Sequence, residues 1–135
     1  MNGTPFIHTL RVRYHECDAQ KVVFNSRYGE YVDVAFGEYM RSLGYYDGSP
    51  NGNPELQLVK QVTEWKSPAR YDDVLELCVF PLKLGNTSFT ARTEVRRKNH
   101  HDVLAHTETT YVHVDPKSWT KSPIPAAMRA ALEPS

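Results

Sequence analysis

Hydrophobic and polar positions alternate along FIHTLRVRY: Phe6, His8, Leu10, Val12 and Tyr14 fall on one side, Thr9, Arg11 and Arg13 on the other. A period of two predicts a half-buried strand. From Tyr28 the spacing lengthens. Tyr28, Val32, Ala35, Phe36, Tyr39 and Leu43 recur at intervals of three and four, which predicts an apolar stripe along a helix of about four to five turns. Asn25 or Ser26 is placed to cap its start, so that the helix opens near Asn25, and Gly44 is placed to end it. YYDGSPNGNPE, residues 45–55, carries turn residues and no usable period.

Four further strand-like segments follow, at residues 56–65, 74–84, 88–98 and 103–114. GNT at 85–87 and NHHD at 99–102 read as hairpin turns between the last three, and Pro81 marks a bulge or an edge. PAAMRAAL, from Pro125, suits a short closing helix. The order is strand, long helix, then an antiparallel meander. A sheet with one face to bury and one apolar-striped helix to bury it on wraps around that helix. The expectation is an α+β fold in one domain spanning residues 1–135.

Composition narrows the function. Sixteen basic residues balance sixteen acidic ones, which argues against a duplex-binding protein with its usual basic surplus. No run of 18 apolar residues is present, and MNGTPFIHTLRVRY lacks the positive start and apolar block of a leader peptide. Cys17 and Cys78 are too few for a disulfide framework, so a reduced, cytoplasmic location is expected.

The stretch ECDAQKVVFNS places a carboxylate, Asp18, in the turn before the helix. A buried helix start presents unpaired N–H groups and a partial positive charge. Such an end stabilises an oxyanion developing on a carbonyl. A carboxylate facing the same carbonyl could attack it or activate water. The plain alternative is a turn residue whose side chain bonds to nearby amides. Both readings stand on the residues alone.

Rival constellations are weaker. His15 and Cys17 would share a face of an extended segment, with Asp18 pointing the other way. His101 and His106 differ by an odd number and would face opposite sides of one strand, so no metal site is expected among His100, His101, Asp102, His106 and His113. No G-x-S-x-G elbow, phosphate loop or dinucleotide fingerprint is present. Glu38 lies outside the helix stripe, at the solvent or an interface, and Glu64 has no assigned role.

YHECDAQKVVFNSRYGEYVDVAFGEYMRSLGY resembles the signature of the hotdog-fold acyl-CoA thioesterases, in the 4-hydroxybenzoyl-CoA thioesterase branch. That branch carries an aspartate, two variable residues, a glycine, two aliphatics, an aromatic, then His, Asn or Tyr, and a Tyr three positions on. Asp18, Lys21, Val22, Val23, Phe24, Asn25 and Tyr28 occupy those positions here. The likeness continues through ARYDDVLEL and SFTARTEVRR to Ile124 and Pro125.

The resemblance implies a hotdog fold and hydrolysis of an acyl-CoA without metal or redox cofactor, CoA being part of the substrate. It implies Asp18 as base or nucleophile and the Asn25 backbone N–H as the group polarising the thioester carbonyl. It also implies a site at the interface of a homodimer, with dimers often pairing into a homotetramer. Phe24 and Tyr28 are the expected acyl-pocket residues, and Ser88 joins the substrate-binding set. The branch's basic cluster near 85–87 is reduced here to Lys83, so Arg96, Arg97 and Lys98 are the candidates for the CoA phosphates. Two positions depart from the pattern: Lys21 stands where glycine is preferred, and Asn25 replaces the His of one large subgroup. They keep open a non-catalytic acyl-CoA-binding or oligomeric protein on the same fold. A hotdog dehydratase typically pairs a His with its acid, and no His begins this helix.

Overall fold

The computed structural model describes residues 4–48 and 52–133. In chain order the elements are β1 (Phe6–Arg11), a 3-10 turn (Tyr14–Glu16), α1 (Arg27–Ser42), β2 (Leu56–Trp65), β3 (Val74–Leu84), β4 (Ser88–Arg97), β5 (Val103–His113) and α2 (Ala126–Leu132). The five strands form one antiparallel sheet in the order β1-β3-β4-β5-β2. This is the expected α+β, hotdog arrangement.

The helix stripe decides which face of the sheet is inside. Tyr28, Tyr31, Val32, Ala35, Phe36, Tyr39 and Met40 are buried, in a core with Leu75, Leu77 and Val79 of β3 and Phe89, Ala91 and Val95 of β4. Phe36 stacks on Tyr111 of β5, with ring centroids 4.1 Å apart and planes 15° apart. Offset aromatic packing of this kind adds to the value of the buried area. Gly44, at φ 90°, follows the helix in the left-handed region that ends helices cheaply.

Turn chemistry holds the meander in register. β3 slips its pairing between Pro81 and Lys83, at the bulge expected of a proline without an N–H. In the β3–β4 turn, Gly85 N–H donates to the Ser88 carbonyl at 2.8 Å. A Cβ at Gly85 would lie 2.7 Å from Ser88 Oγ, so a larger residue there would have to turn the Ser88 hydroxyl aside. Asn99, at φ 67°, turns β4 into β5.

The ends of two elements sharpen the sequence reading. Helix α1 begins at Arg27 with Ser26 in the cap position, one of the two residues expected there. The Phe24 and Asn25 carbonyls first accept from the N–H groups of Arg27 (2.9 Å) and Tyr28 (3.3 Å), making a turn ahead of the helix. Tyr14 is not on the buried side of a strand: β1 stops at Arg11, the 3-10 turn swings the ring out, and Tyr14 is exposed. In the 45–55 loop, residues 49–51 lie outside those described.

The outer face of the sheet carries a buried carboxylate. Glu94 sits opposite Cys78 and His106 on the neighbouring strands. It accepts from Arg92 Nε at 2.9 Å and from Arg96 Nη2. Burial opposes its ionisation, but the two guanidinium groups outweigh burial and hold the carboxyl below its ordinary value of 4.5. A depressed folded-state value contributes stability that is fully present above that ordinary value and is lost as pH falls through the depressed one. Denaturant unfolding across a pH series is therefore expected to show stability declining below pH 4.5, with a shallower decline in Glu94→Gln.

Candidate active site

The chain between the 3-10 turn and α1 folds into a small hairpin. Asp18 N–H donates to the Val22 carbonyl (3.0 Å), Lys21 N–H to the Asp18 carbonyl (2.9 Å), and Phe24 N–H to the Glu16 carbonyl (3.0 Å). Cys17 bridges to Val23, and Val22 bridges outward to Arg70. Lys21 and Val23 complete that outward seam, Lys21 accepting from Tyr71 N–H and Val23 donating to the Ala69 carbonyl, both at 2.9 Å. The hairpin is thus tied to the chain that leads into β3.

Lys21 has φ 62°, the left-handed conformation. This is why glycine suits the position, and why lysine is strained there by about 1 kcal/mol or more.

Asp18 is half-buried. Its Oδ1 accepts from Gln20 N–H at 2.8 Å and, more weakly, from Val22 N–H at 3.4 Å. The plain turn role is therefore real for one oxygen. Oδ2 has no hydrogen-bond partner among the described residues. Asp18 lines a cavity of about 510 Å³ with Tyr14, Cys17, Ala19, Lys21, Phe24 and Tyr71. Cys17 and Asp18 share this cavity, contrary to the opposite directions a regular strand would give them. Burial raises the Cys17 thiol pKa, with neighbouring Glu16, Asp18 and Asp73 adding to the rise, the direction opposite to that of an activated thiol.

Asn25 lines a second cavity, of about 240 Å³, with Val22, Val23, Tyr28, Trp65 and the 66–68 segment. Its N–H and that of Ser26 make no hydrogen bond to a described residue. They are the free donors that precede a helix. The two cavities lie along one hairpin arm, Val22 and Val23 facing one and Phe24 the other.

The remaining candidates are dispersed. Tyr28 is buried, and its hydroxyl accepts from Ala69 N–H at 3.1 Å, a core role beside the second cavity. Arg96 pairs with Glu94 on the outer face. Arg97 pairs with Asp73 at 3.0 Å and donates to the Pro68 carbonyl at 2.8 Å. Lys98 is exposed, and Ser88 is held in the hairpin turn. Glu38 pairs with Arg41 at 3.3 Å, and Glu64 lies 3.7 Å from His106. No His, Cys, Asp or Glu group with metal-ligand spacing occurs among the described residues.

One polar group escaped the sequence reading. Glu16 is 2 % exposed. Its Oε1 accepts from Arg13 N–H (2.8 Å) and Tyr31 Oη–H (2.9 Å), and its Oε2 from Arg13 Nη2 (2.7 Å). Burial pushes the carboxyl up, but these donors outweigh it and the net shift is downward. The Arg13–Glu16 spacing of three was the available signal; the Tyr31 contact, fifteen residues on, was not visible.

The chain belongs to the Thioesterase-like superfamily, whose profile matches residues 12–132. It is 30% identical to the acyl-CoA thioester hydrolase YbgC of Escherichia coli, over 98% of this chain and 99% of that protein. A hypothetical protein from Aquifex aeolicus has the same fold at a TM-score of 0.82 and 31% identity, covering 96% of this chain and all of that one. A 1,4-dihydroxy-2-naphthoyl-CoA thioesterase from Synechocystis aligns at a TM-score of 0.82 over 96% of both chains. At 19% identity it shows the fold alone.

The strain at Lys21 has a measurable consequence. Lys21→Gly is expected to raise unfolding free energy by about 0.5–1 kcal/mol, read by denaturant titration, since glycine occupies positive φ without steric cost.

Proposed function

We propose that this protein hydrolyses an acyl-CoA thioester to the acid and free CoA, with Asp18 as the reacting carboxylate. The observation that carries the reading is the division of labour between the oxygens of Asp18. Oδ1 is fixed by the turn, while Oδ2 has no partner among the described residues, and the residue lines a cavity. A carboxylate held by one oxygen keeps its aim and leaves the other free to react. Seven residues on, the amides of Asn25 and Ser26 supply donors for the charge that develops on the thioester oxygen.

Either of two routes fits one free oxygen. In the first, Oδ2 attacks the thioester carbon, CoA leaves as thiolate, and water cleaves the resulting anhydride. In the second, Oδ2 takes a proton from a water that attacks the same carbon, and the collapsing intermediate expels the thiolate. Phe24, half-exposed in the Asp18 cavity, would lie under the acyl group.

The same reading includes a homodimer. β2 closes one edge of the sheet, and along its ten residues Leu58, Val59, Val62 and Trp65 are exposed. A long apolar edge left open is an aggregation hazard that proteins normally cover. Trp65 also borders the cavity beneath Asn25, so a second copy on this edge would wall the site as well.

Two experiments test these points. Thiol release from aryl, short-chain and long-chain acyl-CoAs is expected with the native protein, and Asp18→Asn is expected to lower kcat by about 10²–10⁴ with an unchanged circular dichroism spectrum. Native-level turnover in that variant would remove Asp18 from the mechanism. Asn25→Ala is expected to retain most activity, since the donor is backbone. Sedimentation is expected to give a multiple of the 15.5 kDa chain, and Val62→Lys on the β2 edge to shift it towards monomer; a native monomer would sink the dimer.

A further inference from the structure

We infer that Glu16 and Tyr31 are positioning residues that fix Asp18 relative to the first turn of α1. The inference rests on the hydrolase reading above and extends it to two residues that touch no reacting atom.

The turn that presents Asp18 is poorly supported by its own contacts. Ala19, Gln20 and Lys21 are all exposed, and Lys21 is strained. The hairpin's outward bonds run to the 69–71 segment and not to the helix, so it can still tilt about that seam, carrying Asp18 with it. A displacement of about 1 Å at a reacting group can cost 10²-fold in rate. A contact made with α1 itself would fix the turn's angle to the helix.

Glu16 is placed to do this. It stands two residues before Asp18 on the same arm, and its carbonyl accepts from Phe24 N–H on the other arm. Its carboxylate reaches into the core, where Tyr31 of α1 donates to Oε1 at 2.9 Å. Tyr31 is itself 1 % exposed, one turn inside the helix that the free Asn25 and Ser26 amides precede. Arg13, on the far side, holds the same carboxylate from the end of β1. The carboxylate thus joins three pieces: the chain leaving β1, the Asp18 arm and the helix.

A carboxylate in this setting is a poor choice for stability alone. Removing a charge from water is expensive, and a buried ion pair can often be replaced by apolar side chains at no loss. What an apolar trio would not supply is direction. Charge-assisted hydrogen bonds are short and oriented, and Tyr31 fixes the arm's rotation as well as its distance.

Tyr31→Phe is the sharpest test, because it deletes one hydroxyl and leaves the ring, Glu16 and Arg13 in place. With the acyl-CoA that the native protein turns over fastest, kcat is expected to fall about tenfold while KM stays within about twofold. Glu16→Gln is expected to act in the same direction, and the double variant to be no worse than the poorer single one by more than about twofold, since both break one tie. The melting temperature is recorded for each, and rates are taken well below it. Native kcat in Tyr31→Phe overturns the inference, as does a loss explained by the unfolded fraction. If Glu16→Gln fails to fold, Tyr31→Phe decides alone. Asp18→Asn assayed in parallel separates the two claims. Its inactivity beside a fully active Tyr31→Phe overturns positioning only. An active Asp18→Asn, or a native protein that releases no thiol, takes the hydrolase reading down and this inference with it.

Discussion

Seven side chains of α1, from Tyr28 to Met40, leave water together against one face of a five-stranded sheet. Burial of that apolar area is the main favourable term available to a chain of this size, and it can be realised in one orientation only. The sheet must wrap the helix, so β3 and β4 supply the core floor, and Phe36 meets Tyr111 and Phe89 across it. The position of the helix N-terminus follows from this packing, not from any local choice of cap. Ser26, at the cap position, makes no side-chain capping bond. The donors ahead of the helix are left for something else.

Polar chemistry gathers where the wrap is incomplete. Between β1 and α1 the chain cannot continue the sheet, and it folds back on itself through residues 16–24. That short hairpin contains the strained Lys21, the half-committed Asp18 and the buried Glu16. Broken local rules gathered in one short stretch are expected where more than stability sets the sequence.

Much of the fold was readable because each strand carried two independent signals. Residues 56–65 and 74–84 came out with their observed bounds, since alternation and flanking turn residues agreed. Tyr14 was placed on the wrong side because alternation continues through Arg13 although the strand does not. The helix start was legible because one of the two expected caps, Ser26, does stand at the cap position, while the turn ahead of it, in which Phe24 and Asn25 accept from Arg27 and Tyr28, left no mark in the sequence. Asp18 was legible through its position before an apolar stripe. Glu16 was not: a glutamate in a polar run reads as solvated, and only the folded chain brings Tyr31 to it. Long-range pairing of this sort has no periodicity to announce it.

The division of the candidate site into two cavities bears on how a ligand would use it. Asp18 and Phe24 line one, Asn25 lines the other, and the 22–25 arm contributes to both. On the proposed reading a thioester must reach both, so its carbonyl carbon lies at the end of that arm, across the exposed Phe24 ring. In one chain this ridge is open to water, which would weaken every electrostatic interaction there. Trp65, on the open β2 edge, borders the same region. A partner seated on β2 would therefore do two things at once, covering an apolar edge and drying the ridge. Assembly and chemistry would then share one surface, and loss of the first would be felt as loss of the second.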